Sequence, residues 1–193
     1  MPGETGWSGA QRRLHWLAAL LVALAFPLGW LMVAVPPDDL LAKFVLYQAH
    51  KTIGLTALAV LVVRLAVRAR RGRPGWDDLP LSQRRAAAAV HGLLLALLAA
   101  VPALGYLAAA TAPAQVPTLF LGVMPVPHLV GASPEWFPAL RQAHRVLAIA
   151  LVGLATLHAG AAIRHHLNGR PTLRRMWRAT PAGGQERPRS QPV

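Results

Sequence analysis

Four histidines, His15, His50, His144 and His158, stand inside long apolar stretches of the chain. An ionisable, strongly polar side chain at membrane depth is expensive and is usually kept for a ligand, a proton path or an ion path. His144 and His158 are 14 residues apart, close to four turns of an α-helix, so they project from nearly one face about 21 Å apart along the axis. One helix can therefore offer an imidazole near each membrane surface and hold two cofactors.

The elements that must position these histidines follow from the distribution of apolar residues. Of 193 residues, 54% are hydrophobic and 14% charged, too apolar for an ordinary soluble domain. Four segments have the roughly 20 apolar residues needed to span a bilayer: Leu14 to Val35, Phe44 to Val67, Ala86 to Ala110 and Leu140 to Ile163. The predicted fold class is all-α, an integral membrane four-helix bundle formed as one unit by residues 1–180, with 181–193 a disordered basic tail. Arg12 and Arg13 before the first run resemble a secretion signal, but the run is of spanning length and no convincing small-residue cleavage site follows, which makes it a retained helix. Pro27 and Pro102 fall inside spans and predict bends where neighbours re-satisfy the backbone.

The net charge of +13 fits membrane topology better than nucleic acid, because the basic residues lie at the edges of apolar segments. Arg68, Arg70, Arg71, Arg73, Arg84 and Arg85 lie between the second and third spans, and seven arginines from Arg164 to Arg189 follow the fourth. By the positive-inside rule both termini and the middle loop are cytoplasmic. The third loop, Thr111 to Pro138, carries six prolines, which exclude regular helix or central strand. Its Leu119, Phe120, Leu121, Val123 and Met124 suggest a cap lying on the outer end of the bundle. There is no cysteine, so disulfides, cysteine-ligated clusters and covalently attached haem are excluded.

This topology pairs the histidines by depth: His15 with His158 on the cytoplasmic side, His50 with His144 on the outer side. Two imidazoles facing each other at one level are what six-coordinate haem iron needs, and bundle interiors are where such sites are built. Gly29, 14 residues after His15, falls at the outer level, where a missing side chain makes room for a porphyrin edge. Arg64, 14 residues after His50, falls at the inner level as a candidate partner for a haem propionate. Gly54 and Gly153 would let a flat macrocycle approach the backbone. The competing readings are interhelical hydrogen bonds for the histidines, plain close packing for the glycines and snorkelling to the headgroups for Arg64. His91 lacks an unused partner at its depth and reads as a residue supporting a ligand or handling protons. Interfacial solvation is the default for His128, His165 and His166.

Arg-Leu-His-Trp at 13–16, His-Lys-Thr-Ile-Gly at 50–54, Val-Arg-Leu at 63–65, the stretch from His91 through Pro102 to Gly105, and the His144 and His158 pair together resemble the bacterial cytochrome b561 family. That family is related to the cytochrome b subunits of nickel-iron hydrogenases, and the resemblance runs from about residue 12 to 178. It implies two b-type haems with His15, His50, His144 and His158 as iron ligands, and electron exchange with a ubiquinone pool in the bacterial inner membrane as a multi-pass protein. A close relative is a superoxide oxidase. Lys51 beside His50, with Arg141 and Arg145 flanking His144, would place cations around the outer haem, and such a focus raises the encounter rate of a small anion. Lys51 is the candidate catalytic cation, while Arg141 and Arg145 could instead neutralise propionates. The quinone is expected near the outer haem under the third loop, with Trp136, Phe137 and Phe120 as wall residues.

Three functions follow for testing. The first is a stand-alone superoxide:ubiquinone oxidoreductase or electron carrier, whose partners are quinone, membrane lipid and a small donor or an outer-face protein, with no nucleic acid. The second is a membrane anchor passing electrons between quinone and a soluble enzyme subunit. The third is a histidine-lined transporter without haem, against which stands the absence of acidic residues in the spans.

Overall fold

The computed structural model describes residues 7–72, 80–170 and 172–177. Four long helices, α1 (Gly9–Ala34), α2 (Leu40–Arg71), α3 (Leu81–Thr111) and α4 (Trp136–Leu167), are each long and apolar enough to cross a membrane. A two-stranded hairpin, β1 (Thr118–Phe120) and β2 (Met124–Val126), lies between α3 and α4, and a short helix, α5 (Thr172–Trp177), follows α4. The bundle end bearing the hairpin is termed outer and the opposite end inner, following the charge asymmetry. Arg73, Arg178 and the tail from 181 to 193 lie outside the described residues.

Local chemistry explains the boundaries. Ser8 caps α1 by accepting from the Gln11 amide at 3.3 Å, while the Gln11 side chain accepts from the Ser8 amide at 3.0 Å, the reciprocal pairing of a capping box. Asp39 caps α2 by accepting from the Ala42 amide at 3.0 Å. At the other end of α2, Gly72 takes φ +70°, a conformation costly for other residues, and Arg68, Arg70 and Arg71 occupy the last turn, where cations favour the helix dipole. Pro27 and Pro102 lie inside α1 and α3 without ending them. The expected third loop is shorter than its prolines suggest. Trp136 to Pro138 already belong to α4, because proline is tolerated in a first turn, whose amides have no intrahelical acceptor.

The hairpin pairs Thr118 with Val126 and Phe120 with Met124, antiparallel, turning through Leu121 and Gly122 at positive φ. It rests on α2. The buried Gln48 donates to the Pro117 carbonyl at 2.8 Å and accepts from the Leu119 amide at 2.9 Å, and Thr52 accepts from the Leu121 amide at 3.1 Å. At the inner end, Trp16 donates to the Met176 carbonyl at 3.1 Å and its ring lies 4.8 Å from that of Trp177, which ties α5 to α1.

The helices pack closely as two pairs, α1 with α2 and α3 with α4, with α2 touching α3 and α1 barely touching α4. The buried core is Ala18, Leu21, Ala57, Val60, Leu61, Leu97, Leu98 and Leu151. Each of these falls between the inner and outer site positions of its own helix, so an apolar layer separates the two histidine levels. Large apolar residues such as Trp30, Leu31, Val62, Val146 and Leu157 face outward, as expected of a surface solvated by lipid.

Candidate functional site

At the outer level, His50 of α2 and His144 of α4 face each other with ring centroids 6.0 Å apart and planes at 89°. His50 Nδ1 lies 3.1 Å from the Ala25 carbonyl of α1, and His144 Nδ1 lies 2.8 Å from the Val101 carbonyl of α3. A carbonyl oxygen can only accept, so each Nδ1 holds the proton and each Nε2 keeps its lone pair. The same two helices supply a glycine to each ring. A Cβ on Gly29 would stand 2.9 Å from His50 Cε1, and one on Gly105 would stand 2.9 Å from His144 Cε1. Gly29, assigned from sequence to clearance for a porphyrin edge, in fact makes room for an imidazole.

At the inner level, His15 of α1 and His158 of α4 have ring centroids 6.4 Å apart at 77°. His91 of α3 adds a third ring 5.0 Å from His158. Arg64 of α2 donates from Nη2 to His15 Nδ1 at 3.2 Å. It thus points into the bundle and does not snorkel to the headgroups. A guanidinium has no acceptor, so His15 accepts through Nδ1 and carries its proton on Nε2.

The two levels are related by one internal pattern. His15 and Gly29 on α1, and His91 and Gly105 on α3, are both 14 residues apart; so are His50 and Arg64 on α2, and His144 and His158 on α4. Each close pair of helices therefore carries four of these eight positions, two at each level. The pattern repeats in the contacts as well, since the carbonyl that receives each outer imidazole lies four residues before the glycine it leans on.

An atom bonded at about 2 Å to one nitrogen of each of two imidazoles holds their ring centroids roughly 6 Å apart, and both pairs have this separation. Among the described residues no group of three or more His, Asp or Glu side chains could hold a metal ion; each pair offers two imidazoles. Gly54 and Gly153 have nothing within 4 Å of an added Cβ, leaving open space at both.

Around the outer level, Lys51 Nζ reaches the carbonyls of Val116 and Pro117 at 3.3 and 3.5 Å. Arg141 lies over the Phe137 ring at 5.6 Å, and Arg145 over the Trp30 ring at 5.7 Å, cation–π contacts that hold both at the rim. His128 hydrogen-bonds the Thr118 hydroxyl at 3.1 Å and is therefore more than solvated. Burial first, and the Lys51 cation second, hold its pKa below the usual histidine value. The expected wall residues do not line the space beneath the hairpin. Trp136 is exposed and Phe137 lies under Arg141; an open apolar cleft of about 480 Å³ is lined instead by Leu55, Leu58, Tyr106, Leu107, Val126 and Leu129, among others. Tyr106 anchors its rim, donating to the Pro127 carbonyl and accepting from the Leu129 amide, both at 2.8 Å.

Sequence reasoning missed Gln48, Thr52, Tyr106 and the contact made by Gly105. The one available signal was the third 14-residue interval, from His91 to Gly105.

Four apolar helices with imidazole pairs at two depths define a class of protein, the transmembrane b-type cytochromes of electron transport. The family model described as prokaryotic cytochrome b561 matches residues 6–179. Cytochrome b561 homolog 2 of Escherichia coli (strain K12) is 34% identical over 168 residues, covering 84% of this chain and 86% of the relative. The chain belongs to the prokaryotic cytochrome b561 family, whose members are membrane-embedded electron-transfer proteins that bind haem b.

Proposed function

We propose that this protein is a di-haem cytochrome of the bacterial inner membrane that oxidises superoxide at its outer face and reduces ubiquinone. The observation that carries the two-haem reading is the pair of imidazole separations, 6.0 Å at the outer level and 6.4 Å at the inner. His50 and His144 would hold one haem, His15 and His158 the other. Each haem, when bound, supplies a one-electron couple.

The chain's own residues do the rest. At the outer level the carbonyls of Ala25 and Val101 hold the Nδ1 protons, which leaves both Nε2 lone pairs available for a ligand bond. At the inner level His15 needs the other tautomer to ligate through Nε2, and Arg64 then needs a new acceptor; a haem propionate is of the right charge to be one. With two imidazoles committed at each site, a bound haem would have no coordination position left for substrate, and the chemistry it would supply is outer-sphere electron transfer. Lys51, Arg141 and Arg145 place positive charge about the outer level, which draws a small anion to that end. The apolar cleft beneath the hairpin supports a quinone ring near the same level, its walls excluding water and the Tyr106 hydroxyl marking its polar edge. Two superoxide ions each give up one electron and leave as oxygen, while one ubiquinone takes two electrons and two protons to become ubiquinol.

The test is to supply purified, haem-loaded protein with enzymatically generated superoxide and a short-chain ubiquinone. The expected result is ubiquinol formation that depends on the protein and is abolished by superoxide dismutase. Turnover appearing only when a soluble subunit is added would establish the membrane-anchor role instead, and a folded but colourless protein would favour a transporter.

A further inference from the structure

The two outer imidazoles are held by the same device twice, from two different helices. His50 is tethered through Nδ1 to Ala25 and leans on Gly29, where a Cβ would stand 2.9 Å from Cε1 and 3.3 Å from Nδ1. His144 is tethered to Val101 and leans on Gly105, with distances of 2.9 and 3.0 Å. The tether fixes where one ring atom goes, and the glycine fixes how far the ring edge can swing, so together they set the plane of each imidazole. The two rings so held are crossed at 89°.

We propose that Gly29 and Gly105 are positioning residues that lock the axial imidazoles of the outer haem crosswise. This rests on the reading of His50 and His144 as haem ligands and adds to it an orientation. Orientation has an electronic consequence. Parallel imidazoles overlap one of the two iron orbitals directed at them more than the other and split their energies. Crossed imidazoles overlap both alike and leave them nearly degenerate. Oxidised low-spin iron between crossed ligands gives a highly anisotropic electron paramagnetic resonance signal with one very large g value, whereas parallel ligands give the ordinary rhombic signal.

A methyl group at either glycine would meet the far edge of a side chain, and a side chain can turn where backbone cannot. Gly29→Ala and Gly105→Ala should therefore fold and rotate one ring each. The nearest atoms to the added methyls belong to His50 and His144, while the inner rings take contacts from other side chains, Arg64 and His91 among them.

The experiment records electron paramagnetic resonance spectra of oxidised, haem-loaded protein in a His158→Ala background, which isolates the outer haem. The glycine substitutions are added singly, and Gly160→Ala, whose added Cβ meets nothing within 4 Å, serves as the control. The expected result is a highly anisotropic signal in the parent and the control that moves towards the rhombic type in Gly29→Ala and Gly105→Ala at unchanged haem content. A rhombic signal in the parent overturns the proposal without reference to the glycine variants. So does a parent-like signal in both glycine variants. Haem bound with a rhombic signal leaves the ligand reading intact, whereas absence of haem from folded protein removes both.

Discussion

The outer and inner ends of the bundle use the same spacing of positions to opposite effect. At the outer end the imidazoles meet backbone: carbonyls of Ala25 and Val101, and the bare Cα of Gly29 and Gly105. At the inner end they meet side chains: Arg64 against His15, and His91 against His158. Backbone partners are neutral and fixed by their helices, so they set orientation and tautomer. Side-chain partners bring charge and rotamer freedom, so they set local potential. A bundle built from two similar helix pairs can thus carry two sites that differ in electronic character without differing in architecture.

Turnover should separate the two ends most strongly. His50→Ala should reduce superoxide-driven ubiquinone reduction to the uncatalysed rate, while His158→Ala should keep most of it, because donor and quinone are both assigned to the outer end. Equal loss in the two variants would place the inner pair on the path to quinone. The clamp on the outer hairpin comes next. Gln48→Leu removes both hydrogen bonds of a buried amide, at a cost of about 1–3 kcal/mol. Hydrogen exchange should show faster exchange at the Leu119 amide, with the inner ends of the helices unchanged.

A smaller effect is expected at the inner end. A buried cation beside a haem favours its reduced form, so Arg64→Gln should lower the inner midpoint potential by about 40 mV, on the order of 1 kcal/mol for one electron. Redox potentiometry should find the outer potential unmoved. Smallest is the steering charge. Lys51→Gln should slow the superoxide reaction a few-fold at low ionic strength, and the difference should shrink towards 0.15 M salt, roughly where the Debye length falls to 8 Å.

The two histidine levels were legible in the sequence because polar residues are conspicuous in apolar runs, and because intervals of 14 residues fix both face and depth on a helix. Four helices followed for the same reason. The contacts that hold the outer imidazoles were not legible: Ala25 and Val101 act through carbonyls that every residue possesses, so residue type carries no signal. Gly29 stood out by its spacing, but which flat group it accommodates depends on how α1 packs against α2. The hairpin was hidden by its prolines. Pro125 sits within β2, which has a strand partner on one side only, and proline is tolerated on such edges. Gln48 and Tyr106 take their roles from a loop that lies about 20 to 70 residues away in sequence, a distance no local pattern spans.

Whether two histidine pairs hold two haems is decided by haem content per chain together with the reduced-minus-oxidised visible spectrum, in wild type, His50→Ala and His158→Ala. The expected result is a sharp reduced alpha band, about two haems per wild-type chain and about one in each variant, as for independent bis-histidine sites. Folded wild-type protein without haem, or variants that both retain two, would contradict it.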